Sequence, residues 1–143
     1  MHSQIKSVLL LIVCIYMVWQ PVAMAATPID VFSIDEEKVV YQTEGTPQAQ
    51  HTAQQLIQSI DGLVTAINPL PASGYLVKVT FDQPYYVKNY WFHAAVTQAI
   101  FVYDKGNSSS VMLINEENQS IFFTLSRDVE ELFALIQFKP TLS

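Results

Sequence analysis

The spacing of hydrophobic positions changes three times along the chain, and each spacing predicts a different kind of element. Val8–Trp19 is an unbroken apolar run of 12 residues. Ala49, Ala53, Leu56, Ile57, Ile60, Val64 and Ile67 then recur every three or four positions, apart from the Leu56-Ile57 neighbours, with Gln50, Gln54, Gln55, Gln58 and Asp61 on the other side. That is one apolar face of an amphipathic α-helix. Thr46-Pro47 supplies an N-cap and a proline at the first helical position. Asn68-Pro69-Leu70-Pro71 ends the pattern, because neither proline can donate to a helical ladder. Gly62 lies inside this stretch, at a cost of about 1 kcal/mol relative to alanine.

Past Gly74 the period falls to two. Tyr75, Val77, Val79 and Phe81 alternate with Leu76, Lys78, Thr80 and Asp82, the pattern of a half-buried strand. Asp82-Gln83-Pro84 predicts a break, after which Tyr85–Phe92 reads as a second strand held at an edge by Pro84. Thr97–Tyr103, Val111–Asn115 and Ile121–Leu125 follow as further strands separated by polar turns. Val129, Leu132, Phe133 and Ile136 return to helical spacing. Asp128, Glu130 and Glu131 stand in its first turn, where negative charge suits the helix dipole, and Ser126 or Asp128 is placed to cap it. Upstream, Val31–Ile34 and Lys38–Tyr41 read as short strands in an otherwise irregular segment.

The predicted fold class is therefore α+β: an N-terminal amphipathic helix, an antiparallel β-meander of four to five strands and a C-terminal helix, forming a two-layer sandwich. The expected organisation is a signal peptide over 1–25, an irregular or short-strand segment over 26–46, an α+β domain over 47–139 and a tail over 140–143. Several strands are apolar on both faces, notably Ile100–Tyr103, Val111–Ile114 and Ile121–Phe123. A sheet covered by helices on one side only should be polar on the other. The second face is thus covered either by the helices or residues 26–46, or by a partner or second copy.

The apolar run at the start changes the picture of where the chain works. A short polar start with Lys6, the run Val8–Trp19, then Gln20-Pro21 and Ala23-Met24-Ala25-Ala26 have the three-part form of a secretory leader, with cleavage expected between Ala25 and Ala26. The competing reading is an uncleaved membrane anchor, since Val8–Ala26 reaches the lower limit of about 17–25 residues for a spanning helix. The expected location is extracellular or cell envelope. Cys14, the chain's one cysteine, lies within the run, so the mature domain is expected to be free of thiols and disulfides. Half the residues are hydrophobic, enough for a core without staples. Formal net charge is −6, and losing Lys6 with the leader makes it −7. The few basic residues are scattered, which argues against a nucleic-acid partner.

Candidate chemistry is sparse. There is no nucleophile elbow and no glycine-rich phosphate loop. His51 and His93 lack metal-ligand spacing, so neither metal nor cofactor is expected. Glu116-Glu117 on a strand point to opposite faces, and Glu130-Glu131 on a helix diverge by about 100°, so neither pair shares a proton. Asn107-Ser108-Ser109 and Asn118-Gln119-Ser120 match the N-glycosylation pattern in predicted turns. The most unusual segment is Asp82–His93, with Tyr85, Tyr86, Tyr90, Trp91, Phe92 and His93. Aromatic side chains with polar tips make rigid recognition surfaces, and they are also ordinary strand residues. Tyr86, Tyr90, Trp91, Phe92 and His93 are the candidate binding residues. Strict alternation predicts Tyr86, Tyr90 and Phe92 on one face, with Tyr85 and Trp91 on the other.

The order of leader, amphipathic helix, Tyr75-Leu76-Val77-Lys78-Val79-Thr80-Phe81, and Ile121-Phe122-Phe123-Thr124-Leu125-Ser126 running into a short Leu-rich helix resembles small exported proteins of Gram-positive spore-forming bacteria. The resemblance covers residues 50–137, rests on pattern, and departs where many such proteins carry a lipid-attachment cysteine. It implies a secreted or envelope location and no particular activity. The leading expectation is a secreted, non-enzymatic binding module for a protein or glycan of the envelope or medium. The alternatives are a structural protein that self-associates as a homodimer through an apolar sheet face, and a small exported hydrolase using His93 with Asp82 or another carboxylate.

Overall fold

Alternating side chains along seven strands and one face of each of two helices meet in a single hydrophobic core. The computed structural model describes residues 27–141; the expected leader, with Ala25 and Ala26, lies outside them. The fold class is α+β. In chain order the elements are β1 (Pro28–Ser33), β2 (Lys38–Glu44), α1 (Pro47–Gln58), β3 (Ile60–Leu63), β4 (Tyr75–Lys88), β5 (His93–Tyr103), β6 (Ser110–Ile114), β7 (Ser120–Leu125) and α2 (Glu130–Ile136). Among the described residues the strands form one sheet, ordered β2-β1-β4-β5-β6-β7-β3, with every neighbouring pair antiparallel. That is more strands than the four or five expected. β1 and β2 extend the meander on one side, and β3 closes the other.

β3 is the main departure from the helical periodicity. α1 starts as expected, with the Thr46 hydroxyl accepting the Ala49 amide at 3.2 Å and Pro47 at the first turn. It ends at Gln58 instead of running to Ile67. The Ser59 hydroxyl bonds the Leu56 carbonyl at 2.7 Å, and the Ser59 carbonyl is taken by the Ser126 amide at 2.9 Å. Of the residues beyond it, Ile60 and Val64 are β-branched and Gly62 is glycine, poor helix formers that lower the cost of leaving the helix. Ile60 pairs with Leu125 and Gly62 with Thr124. A Cβ on Gly62 would sit 3.0 Å from the Thr124 hydroxyl, which itself donates to Asp61 at 2.6 Å. Ile67, read as part of the apolar helical face, is fully exposed.

β4 is the other departure. It continues through Pro84 as one 14-residue strand, with its register to β5 shifting between Thr80 and Tyr85. Pro84 is tolerated because β1 pairs only as far as Val79 and β5 has no partner for residues 81–84, so no ladder needs its missing N–H. Before the shift Tyr75, Val77, Val79 and Phe81 point into the core, as the alternation predicts. On β5 the inward residues are Ala94, Val96, Ala99, Phe101 and Tyr103. The extra residue between Val96 and Ala99 marks a matching irregularity of the kind that bends a strand, and beyond it β4 and β5 pair only with each other, as a two-stranded arm.

The arm's base is fixed by a buried polar side chain. Gln50, 8% exposed, donates to the Gly45 carbonyl at 3.1 Å and accepts the Asp82 amide at 3.1 Å. The Thr27 hydroxyl donates to the Asp82 carboxylate at 2.6 Å. Gln50 also donates to the Thr27 hydroxyl at a longer 3.4 Å, so one side chain on α1 ties the residue before β1, the β2–α1 turn and the bend in β4. At the opposite end Gly74 (φ +118°) turns the chain into β4 where a Cβ would lie 2.2 Å from the Tyr103 carbonyl oxygen.

α2 carries Leu132, Phe133 and Ile136 into the core. Val129 stands at its N-cap with no side-chain cap bond; Asp128, one of the two expected caps, lies one residue earlier, where its carboxylate accepts the Glu130 amide at 2.9 Å and the Ser109 hydroxyl at 3.2 Å, and that hydroxyl accepts the Val129 amide at 3.0 Å. Ser126 instead bonds Ser59. Thr141, placed in a tail by the sequence, is held by the Tyr75 hydroxyl at 2.9 Å.

The helices and residues 28–44 do not wrap both faces of the sheet. Segment 64–71 crosses one corner of the second face, where Val64, Pro69 and Pro71 line a pocket with Val102, Ser110 and Thr124. Val102 is buried there. Phe32, Leu76, Ile100, Met112, Ile114 and Phe122, on the same face, remain partly exposed.

Candidate functional site

The arm formed by Tyr85–Lys88 and His93–Val96 carries the aromatic segment singled out in the sequence. Its tip is a tight turn over Asn89–Phe92. The Asn89 amide donates to the Phe92 carbonyl at 2.9 Å, and the Asn89 side-chain oxygen accepts the amides of Trp91 and Phe92, both at 2.8 Å. An asparagine side chain that bonds its own backbone two and three residues on replaces the strand with a fixed turn. The ladder resumes with Lys88 opposite His93, Val87 opposite Ala94 and Tyr86 opposite Ala95.

This turn changes which aromatics face out. Phe92, expected on the face of Tyr86, is 4% exposed and packs edge-on to Phe123, with ring centroids 5.8 Å apart. It is a core residue. The strict alternation carried through residues 89–92 fails because those residues are not a strand. Trp91 is half-buried against the core, and Tyr85 lies inward with its hydroxyl accepting from Gln58 at 3.1 Å. Three of the five candidates are left facing solvent. Tyr90 is 93% exposed at the tip, stacked edge-on with Trp91 at 5.5 Å. Tyr86 is 58% exposed, and His93 is exposed beside it, their rings 5.5 Å apart. Lys88 and Ala95 complete this outer face. Phe92 and Trp91 anchor the tip from below while Tyr86, Tyr90 and His93 stand above it.

Along the arm's β5 side runs a groove that has no local signal in the sequence. β5 pairs with β6 only over Ile100–Val102, so the two strands diverge toward the arm's tip. Between them lie two adjoining hollows. One, of about 260 Å³, is lined by Ala95–Gln98, Ile114, Asn115 and Asn118. The other, of about 220 Å³, is lined by His93, Ala94, Asn115, Glu116 and Glu117. The β6–β7 turn that forms the far wall is rigid: the Asn115 side-chain oxygen accepts the amides of Glu117 and Gln119 at 3.0 and 2.9 Å. Asn118 sits there in the left-handed region, φ 60°.

His93 makes no hydrogen bond to a carboxylate among the described residues, although Glu116 and Glu117 share its hollow. Asp82, its suggested partner, is engaged at the base of the arm. The Thr27 hydroxyl, with the Gln50 amide adding to it, holds the Asp82 carboxyl below its ordinary value. No cluster of three or more potential metal-ligating side chains occurs among the described residues. No described helix is long and apolar enough to cross a membrane. Among the described residues the one strongly shifted group is Tyr103, pushed up to about 12 by burial and by its hydrogen bond to Glu130 at 2.8 Å. It belongs to the aromatic packing around Phe133, away from the arm. Comparisons with protein-family models, with curated proteins and with solved structures gave no match.

Proposed function

We propose that the chain is a secreted, non-enzymatic binding module whose contact surface is the outer face of the β4–β5 arm, centred on Tyr86, Tyr90 and His93. The observation that carries this reading is Tyr90 at 93% exposure on a turn held by three hydrogen bonds to Asn89 and anchored by buried Phe92. Large exposed aromatics are costly to keep in water, and rigid ones lose little entropy on binding. The partner is a protein or glycan of the cell envelope or medium, in keeping with the leader-like N-terminus. The test is binding of the purified chain to cell-wall glycan and envelope-protein fractions, against the Tyr86→Ala/Tyr90→Ala double variant. A loss of affinity of tenfold or more, about 1.4 kcal/mol, is expected with the fold intact. Equal binding by both proteins rejects the surface.

A second reading rests on the other sheet face. Phe32 lies opposite Leu76, and Ile100, Met112 and Phe122 lie in register across three strands, all partly exposed. Such a face supports homodimer formation. Light scattering over a concentration series decides it, since a monomer throughout removes the reading.

A further inference from the structure

We infer that the unpaired edge of β5, His93–Gln98, receives an extended basic segment of a partner protein as an added strand in the groove between β5 and the β6–β7 turn. This inference goes beyond the aromatic-face reading and stands on different atoms. Because Asn89 and Phe92 face each other, Ala94 and Val96 turn their backbone groups toward β4, and His93 and Ala95 turn theirs outward into the groove. The opposite wall behaves alike. The Asn115 amide bonds Gln119 across the β6–β7 turn, so the amide and carbonyl of Ile114 point back toward β5, beyond the last β5–β6 pair at Ile100 and Met112. Both walls thus offer unpaired donors and acceptors to whatever lies between them. An extended segment can use both, as in strand addition to an open sheet edge.

The other open edges of the sheet are blunted, and this one is not. Free strand edges invite pairing, and proteins block them with charge, proline or brevity. β2 begins with Lys38 and ends with Glu44. β3 has four residues, including Asp61 and Gly62. The free flank of β4 carries Asp82, Pro84 and Lys88. His93-Ala94-Ala95-Val96-Thr97-Gln98 has no proline, aspartate, glutamate, lysine or arginine, and its two alanines leave the backbone accessible. Charge selects the occupant. Glu116 and Glu117 are exposed at the mouth of the groove and suit lysine or arginine side chains. A second copy of this chain, with net charge −6, fits it poorly.

The test uses the purified chain and an acetylated, amidated octapeptide of alternating lysine and valine, read by amide hydrogen exchange and affinity. The expected result is slowed exchange at His93 and Ala95. Affinity should fall at least about tenfold when alternate peptide nitrogens are methylated, which removes backbone donors and keeps the charge. A Glu116→Lys/Glu117→Lys variant, altered only on an exposed turn, should bind about tenfold more weakly, and an alternating glutamate–valine peptide should also bind more weakly. Ala95→Pro should abolish binding; if that variant fails to fold, the methylated peptide and the charge reversal decide. Tyr86→Ala/Tyr90→Ala should bind the peptide as the parent does, so failure of this edge and failure of the aromatic face are told apart. The inference is overturned by unchanged exchange at 93–98, by equal affinity for the methylated peptide, or by equal affinity for the acidic one. Protection of the same amides at rising protein concentration without peptide also overturns it, by assigning the edge to a second copy.

Discussion

Replacing Gln50 by leucine tests whether the arm is held at its base in the way the hydrogen bonds indicate. The side chain is buried, and its two shorter contacts, to the Gly45 carbonyl and from the Asp82 amide, are both 3.1 Å. A net hydrogen bond contributes about 1 kcal/mol, and both orphaned backbone groups lie near enough to the surface for water to limit the damage, so about 2 kcal/mol is lost. The leucine buries apolar surface in exchange and returns at most about 1 kcal/mol. The expected net loss is therefore about 1–2 kcal/mol, seen as a lower urea midpoint with an unchanged slope. Because the bonds tie the bend of β4, exchange of the amides in 85–96 should also quicken more than exchange in β6 and β7. An unchanged midpoint, or faster exchange spread evenly over the sheet, would refute the idea that this side chain fixes the arm.

Thr27→Val removes the bond to Asp82, whose carboxyl the fold holds below 3.8. A lowered carboxyl stabilises the fold above its unfolded value and stops doing so as pH falls through the folded one, so the gap between parent and variant should be constant well above the ordinary carboxylate range, narrow as pH enters that range and close as pH falls through the folded value, as urea midpoints across acid pH will show. Tyr103 acts at the other end of the scale: between pH 10 and about 12 the unfolded chain ionises while the folded one does not, so stability should fall by about 1.4 kcal/mol per pH unit in that window, and Tyr103→Phe should lack that contribution. Phe92→Ala should cost about 3–5 kcal/mol by emptying the site against Phe123, whereas Tyr90→Ala should stay within about 0.5 kcal/mol, both measured by denaturant unfolding. Gly74→Ala forces a side chain into the Tyr103 carbonyl at a positive φ, and thermal unfolding should show a loss of about 2 kcal/mol or more.

Where one face of an element rests on the core and the other on water, the residues announce it. Tyr75, Val77, Val79 and Phe81 point inward as their alternation predicts, and Leu132, Phe133 and Ile136 do so on α2. The pattern misleads where two periods coincide. Ile60 and Val64 continue a helical spacing by chance, and the choice of strand over helix depends on pairing with β7, more than 60 residues away in sequence. Pro84 looks like a strand end because a proline's cost depends on whether a neighbour needs its N–H, and that neighbour stops at Val79. The aromatic segment was visible as composition, but its facing was not. Asn89 takes Phe92 out of the expected row and into the core, and an asparagine two residues ahead of the Trp91-Phe92 pair was the one local signal of that turn. The groove beside β5 could not be read locally at all, since it exists only because β6 pairs with three residues of an eleven-residue strand.

The most direct measurement is amide hydrogen exchange of the chain with and without cell-envelope fractions that bind it. Protection concentrated in residues 86–98 is the predicted footprint. Protection centred instead on Leu76, Ile100, Met112 and Phe122, or spread without focus over the sheet, would contradict the claim that the arm is where this protein meets its partner.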